Sequence, residues 1–110
     1  GKHQRDFTFI DDIINIIKKL INKKIYLQNQ KFNICSGNSI GLNKILHEIS
    51  KYTKLPRIIK IKRNMSDVKK THGSNKKITK YLKLKNTVNY KIGIKKTVEW
   101  YNANYHSSKV

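Results

Sequence analysis

The chain has 110 residues, with 25 Lys and Arg against 6 Asp and Glu and a formal net charge of +19. That length points to one domain, a single unit spanning 1–110, and no apolar run approaches the roughly 20 residues needed to cross a bilayer. The single cysteine, Cys35, excludes an internal disulfide and a zinc site built on several thiolates.

Taken in chain order, the pattern alternates strands and helices. Arg5-Asp6-Phe7-Thr8-Phe9-Ile10 alternates polar and apolar residues after Arg5 and predicts a short strand. Asp11 and Asp12 follow, where acids suit a helix start and serve mainly as its cap. Ile13, Ile14, Ile16, Ile17, Leu20 and Ile21 then recur at helical spacing and form one broad apolar face. Lys18, Lys19, Lys23 and Lys24 sit at the end where the helix dipole favours cations.

Lys31 to Ser36 reads as a buried strand closed by Gly37-Asn38-Ser39. A second amphipathic helix carries Leu42, Ile45, Leu46 and Ile49, and Pro56 closes the connection after it. A third strand is expected over Arg57 to Arg63, where Ile59 and Ile61 alternate with Lys60 and Lys62. Residues 64–74 read as loop. Asn75 to Leu84 predicts a short helix with Ile78, Tyr81 and Leu82 turned inward. Ile94, Val98, Trp100 and Tyr101 mark a last helix, with the two aromatics as core anchors. Short strands alternating with amphipathic helices place the chain in the α/β class.

The charge has two readings. Lys, Asn and Ile make up 51 of the 110 residues, and all three have codons rich in A and T, so Lys can accumulate on any solvated face. The sharper reading is a basic nucleic-acid-binding module that neutralises phosphates. Residues 51–80 are the densest block, with 11 Lys and Arg against Asp67 alone. That block lacks interleaved aromatics for base stacking, and Arg, the residue of bidentate base readout, occurs only at Arg5, Arg57 and Arg63. Non-specific polyanion binding at low salt is expected in either case. The four histidines are scattered, with no pair one helical turn apart, so no metal site is expected. A small chain without disulfides fits a cytoplasmic setting.

Four segments carry a more specific pattern. In order they are Arg5-Asp6-Phe7-Thr8-Phe9-Ile10-Asp11-Asp12, Phe32-Asn33-Ile34-Cys35-Ser36-Gly37, Asn64-Met65-Ser66-Asp67-Val68, and Val98-Glu99-Trp100-Tyr101. Their order and spacing resemble the C-terminal third of the NAD-dependent epimerase/dehydratase family, the extended short-chain dehydrogenases. The likeness is to UDP-glucuronate 4-epimerases and related nucleotide-sugar epimerases, and it covers nearly the whole chain. The family segments read R-D-F-x-Y-[IV]-D-D, [YF]-N-[IVL]-G-[SN]-G, [RQ]-P-G-D-V, T-x-A-D-x-x-K and a terminal aromatic pair.

The resemblance implies a substrate-binding region for a nucleotide sugar such as a UDP-sugar. Arg5 matches the Arg that reaches the diphosphate, a role suited to a guanidinium fork. Asp67 matches the Asp that accepts hydrogen bonds from the ribose hydroxyls. Asn64 stands where the family has Arg or Gln, and neighbouring Arg63 is the candidate to supply that phosphate contact. Asn33 is expected to fix the loop after its strand, and Phe9, where Tyr is common, is expected to pack. Other departures are Met65-Ser66 for Pro-Gly, Cys35 for Gly, and Gly73-Ser74 for Ala-Asp.

The family's dinucleotide-binding domain, with its Gly-rich turn and catalytic Tyr and Lys, would lie outside these residues. The resemblance therefore implies no cofactor bound by this chain, NAD being held by the other portion of the enzyme. It also implies a partner: a separate N-terminal half, as in a split enzyme, or a second copy of the chain. The apolar faces of residues 13–21 and 42–49 would then cover a neighbour.

Overall fold

The computed structural model describes residues 3–23, 30–59, 61, 68–85 and 87–105. Among them the chain is a small α/β protein with four helices and a two-stranded sheet.

Strand β1, Gln4–Asp6, pairs antiparallel with β2, Ser39–Gly41, with Gln4 opposite Gly41, Arg5 opposite Ile40 and Asp6 opposite Ser39. On its other edge β1 meets the segment after residue 68. Gln4 donates to the Lys69 carbonyl at 3.0 Å and accepts from the Thr71 N–H at 3.1 Å, a single parallel bridge to Lys70. β1 is thus the central strand of a very short three-segment array.

Helix α1, Ile10–Asn22, starts where the alternation of residues 5–10 gives way to helical spacing. Asp11 and Asp12 lie in its first turn and Lys19 in its last, the arrangement the macrodipole favours. Its inward face holds buried Ile16 with half-buried Ile13 and Leu20. Helix α2, Leu42–Ile49, continues directly from β2 and buries Ile45. Helix α3, Lys76–Leu82, buries Ile78, the most enclosed side chain at 1% exposure. Helix α4, Tyr90–Tyr105, buries Gly93 and Val98 against α2 and Phe9. A Cβ on Gly93 would stand 3.2 Å from the Phe9 ring, so the lack of a side chain there lets the ring seat against the helix.

Two side chains tie the far end of α1 to α3. The Lys23 ammonium donates to the Tyr81 carbonyl at 2.6 Å and lies 4.3 Å from the Tyr81 ring centroid. The Tyr81 ring packs on Phe32 at 5.1 Å, which brings the 31–34 segment onto the same surface.

Several expectations are revised. The strand predicted over residues 5–10 forms a ladder only over Gln4–Asp6, because Phe7 to Phe9 turn away from β2 to pack on other elements. Lys31 to Ser36 is not a strand; its Asn33 is exposed, and its backbone is held by side chains rather than by a neighbouring strand. The strand that does form lies one segment later, at Ser39–Gly41, in residues expected to be turn and helix start. Arg57, Ile58, Ile59 and Ile61 have no ladder partner, with Ile59 74% exposed; residues 60, 62 and 63 of that expected strand lie outside the described residues. Trp100 and Tyr101 are both more than half exposed rather than core anchors. Phe9 packs as expected.

The buried apolar set among the described residues is therefore small: Ile16, Ile45, Ile78 and Val98. Each carries a large share of a thin margin. Shortening Ile78 to Val is expected to cost about 0.5–1.5 kcal/mol. The same change at exposed Ile59 is expected to cost almost nothing, and the comparison is read by urea unfolding midpoints.

Candidate functional site

The site grows from Asp6, the last residue of β1. One carboxylate oxygen accepts the Ser36 N–H at 2.9 Å, the Ser36 hydroxyl at 2.6 Å and the Thr8 hydroxyl at 3.2 Å. The other accepts the Gly37 N–H at 2.9 Å. The 35–37 loop is gripped from its opposite side by Asn75, whose amide donates to the carbonyls of Cys35 at 3.1 Å and Ser36 at 3.2 Å. Loop N–H groups thus go to Asp6 and loop carbonyls to Asn75, which satisfies backbone that no sheet completes. Gly37 sits at φ 79°, a left-handed conformation that Gly adopts without strain, and Asn75 lies close enough to crowd any Cβ there.

Burial pushes the Asp6 carboxyl up, but the bonds from Ser36, Gly37 and Thr8 outweigh it and hold the group below its ordinary value. Because the folded state has the lower pKa, Asp6 contributes stability above the carboxyl's ordinary range, and this is lost as pH falls through the depressed value. The neighbouring Cys35 thiol is pushed up, first by burial and further by the Asp6 charge.

Cys35 also touches Gly73. A Cβ on Gly73 would lie 2.7 Å from the Cys35 sulfur and 3.3 Å from its Cβ. The segment leading to Gly73 is fixed by its bridge to Gln4 and by Ser39, whose hydroxyl donates to the Thr71 carbonyl at 2.6 Å. Residues of three sequence motifs therefore meet within a few ångströms of β1.

Of the predicted site residues, Arg5 lies on β1, half-buried, with its guanidinium donating to the Gln4 carbonyl at 2.9 Å. Strand alternation turns Arg5 to the face opposite Asp6. Arg63, Asn64 and Asp67 lie outside the described residues; the chain re-enters at Val68, beside the β1 edge. The loop-fixing amide expected of Asn33 is instead that of Asn75, placed by the start of α3. Local spacing places Asn75 only at a helix start, and nothing in it marks the reach of its amide to a loop some 40 residues away.

Asp12, expected as a helix cap, lies in the first turn of α1 and makes no capping bond. Its carboxylate accepts the Val88 N–H at 2.9 Å and ties the approach to α4 onto α1, while Phe9 at the N-cap makes no side-chain capping bond.

Beside the Ser36 loop and the start of β2 opens a cleft of about 580 Å³. Its walls mix amides and hydroxyls, from Asn38, Asn75, Asn89, Ser39 and Thr87, with the aliphatic chains of Ile40, Leu84 and Val88 and the rings of Phe7 and Tyr90. Arg5 does not line it. Lys85 does, and it stands four residues after Tyr81, the Y-x-x-x-K spacing of the family's catalytic pair. The pair is nonetheless split. α3 ends at Leu82, Lys83 takes a left-handed φ of 49°, the Tyr81 ring packs on Phe32 with its hydroxyl buried, and Lys85 is exposed. The two side chains do not share a helical face, so they supply no acid–base pair. Among the described residues no three His, Cys, Asp or Glu side chains cluster as a metal site, and no helix is long and apolar enough to cross a membrane.

No family model matches the chain, no curated protein matches its sequence, and no solved structure matches its fold.

Two outcomes follow from the loop geometry. Asp6→Asn is expected to cost about 1.5–3 kcal/mol at neutral pH, as charge-assisted bonds are lost. It should also flatten the decline in stability below about pH 4 that the native carboxylate imposes; urea midpoints of both proteins between pH 3 and 7 check this. Separately, Gly73→Ala is expected to cost about 1–3 kcal/mol by crowding the Cys35 sulfur. Cys35→Ala should relieve part of that cost, with a coupling of about 0.5–3 kcal/mol in a double-mutant cycle.

Proposed function

We propose that this chain is the nucleotide-sugar-binding region of an NAD-dependent epimerase/dehydratase, taking a UDP-sugar and supplying no reactive group of its own. In that reading Arg5 holds the diphosphate, Arg63 and Asn64 add phosphate contacts, and Asp67 accepts the ribose hydroxyls. Hydride chemistry belongs to NAD and to the portion of the enzyme that carries it.

The observation that carries the reading is the meeting of Cys35 with Gly73. Each departs from the family pattern, Cys for Gly in the first case and Gly for Ala in the second. The larger residue at one position faces the smaller residue at the other. Two departures that offset each other in volume are what a retained packing arrangement requires. The gathering of the Arg5-Asp6-Phe7 motif, the Ser36-Gly37 loop and the Val68–Thr71 segment around β1 adds support. It brings the chain just after Asp67 beside the strand that carries Arg5.

The test is a titration with UDP-glucuronate followed through backbone amide NMR signals. Saturable shifts are expected at Gln4, Arg5 and Val68–Lys70, with a dissociation constant on the order of 1 mM. Arg5→Ala should weaken binding about tenfold. Inorganic pyrophosphate is the control for the +19 charge. Equal shifts with pyrophosphate, or none at these residues with UDP-glucuronate, would contradict the reading.

A further inference from the structure

Helix α1 carries a second apolar stripe. Ile10, Ile14, Ile17 and Ile21 are 57%, 42%, 45% and 75% exposed, while Ile13, Ile16 and Leu20 face the body of the protein. At 100° per residue the four outward isoleucines fall within about 60° of arc, the narrow seam of a coiled coil rather than a broad core face. Their spacing alternates four and three residues, as a and d positions do.

We propose that this stripe is the interface of a two-fold homodimer, with α1 of one copy packed antiparallel against α1 of the other. Two features select a second copy as the occupant. The first is charge. Asp11 and Lys18 lie one heptad apart on the same flank of the stripe, and both are exposed. In an antiparallel pair centred between Ile14 and Ile17, Asp11 of each copy comes beside Lys18 of the other, so the ion pair forms twice by symmetry. A parallel pair would instead set Asp11 and Lys18 against the flank of the other copy that carries Ile13 and Leu20, where neither finds an opposite charge.

The second feature is shape. The same register sets Ile10 opposite Ile21 of the other copy, the most exposed isoleucine of the stripe. Ile10 forms one wall of a mostly apolar groove of about 480 Å³ completed by Phe9, Asp11, Lys96, Thr97 and Trp100. The groove can receive the other copy's Ile21, which would cover half-exposed Trp100 beyond its edge-on contact with Tyr105 at 5.7 Å. A groove and a protruding side chain on one surface, related by a two-fold axis, make that surface self-complementary.

The net charge of +19 opposes association of like copies, and salt screens that repulsion while leaving apolar contact intact. Dimerisation should therefore strengthen as salt rises, opposite to binding driven by cationic charge. This inference is independent of the nucleotide-sugar reading.

Sedimentation velocity on the intact chain tests it, at protein concentrations up to about 1 mM (a weak-dimer limit by the usual affinity arithmetic) and at low and high NaCl. A concentration-dependent dimer that strengthens with salt is expected. Ile17→Glu should abolish it although it lowers the net positive charge, with unchanged helical circular dichroism. Asp11→Lys should weaken the dimer about tenfold or more. Combining it with Lys18→Asp, which restores the net charge, should recover most of the loss. Helix-dipole effects alone would make that double variant worse than either single one. A monomer at all concentrations and salts, as expected if a different protein covers the stripe, overturns the proposal. So does a double variant that associates no better than Asp11→Lys.

Discussion

The carboxylate of Asp6 organises this protein. It sits at the end of a three-residue strand, in a chain whose described sheet has two strands and whose buried apolar set is small. Neither element can hold a long loop in place alone. Asp6 does so by accepting two backbone N–H groups and two hydroxyls from residues up to 31 positions away. Asn75 completes the grip by donating to the carbonyls of the same loop. A charged acceptor shared among several donors is stronger than the neutral ladder bond it replaces. That is how residues 35–37 stay in place without joining a sheet, while residues 31–34 are seated by Phe32 on the Tyr81 ring and by Lys77, which donates to the Lys31 carbonyl.

Helices were the legible part of the fold. α1 and α2 follow directly from isoleucine and leucine spacing, because burial of one face dominates their stability. Strands were not. Phe32-Asn33-Ile34 has the β-rich composition of a strand, but a strand needs a partner edge, and β1 gives its edges to Ser39–Gly41 and to Lys70 instead. Trp100 and Tyr101 illustrate the complementary error: large aromatics were read as core, yet α4 turns both toward solvent. For the site, the Arg-Asp motif was read for Arg5, while the residue with the denser bonding is its neighbour Asp6. Asn75 could not be read at all, since its function lies in a contact across the fold.

Charge and packing pull in different directions. The chain carries +19, so copies repel in dilute buffer, while α1 and α4 leave isoleucines, Trp100 and Tyr101 in water. Apolar exposure on one helix face is the signature of a surface that works in contact with another. The same imbalance explains why the polar clasps matter: with few buried side chains to rely on, each saturated hydrogen-bonding group is a larger fraction of total stability.

The most direct measurement of this account is amide hydrogen exchange at Ser36 and Gly37. Both lie in irregular backbone, so their protection reports no helix or strand: that of Gly37 reports the Asp6 carboxylate alone, and that of Ser36 reports Asp6 together with the Thr8 hydroxyl that shares its N–H at 3.0 Å. The account predicts slow exchange at both, as protected as the interior of α1, at neutral pH, and loss of that protection from these two sites first as Asp6 becomes protonated. Exchange at unprotected rates at neutral pH would contradict it.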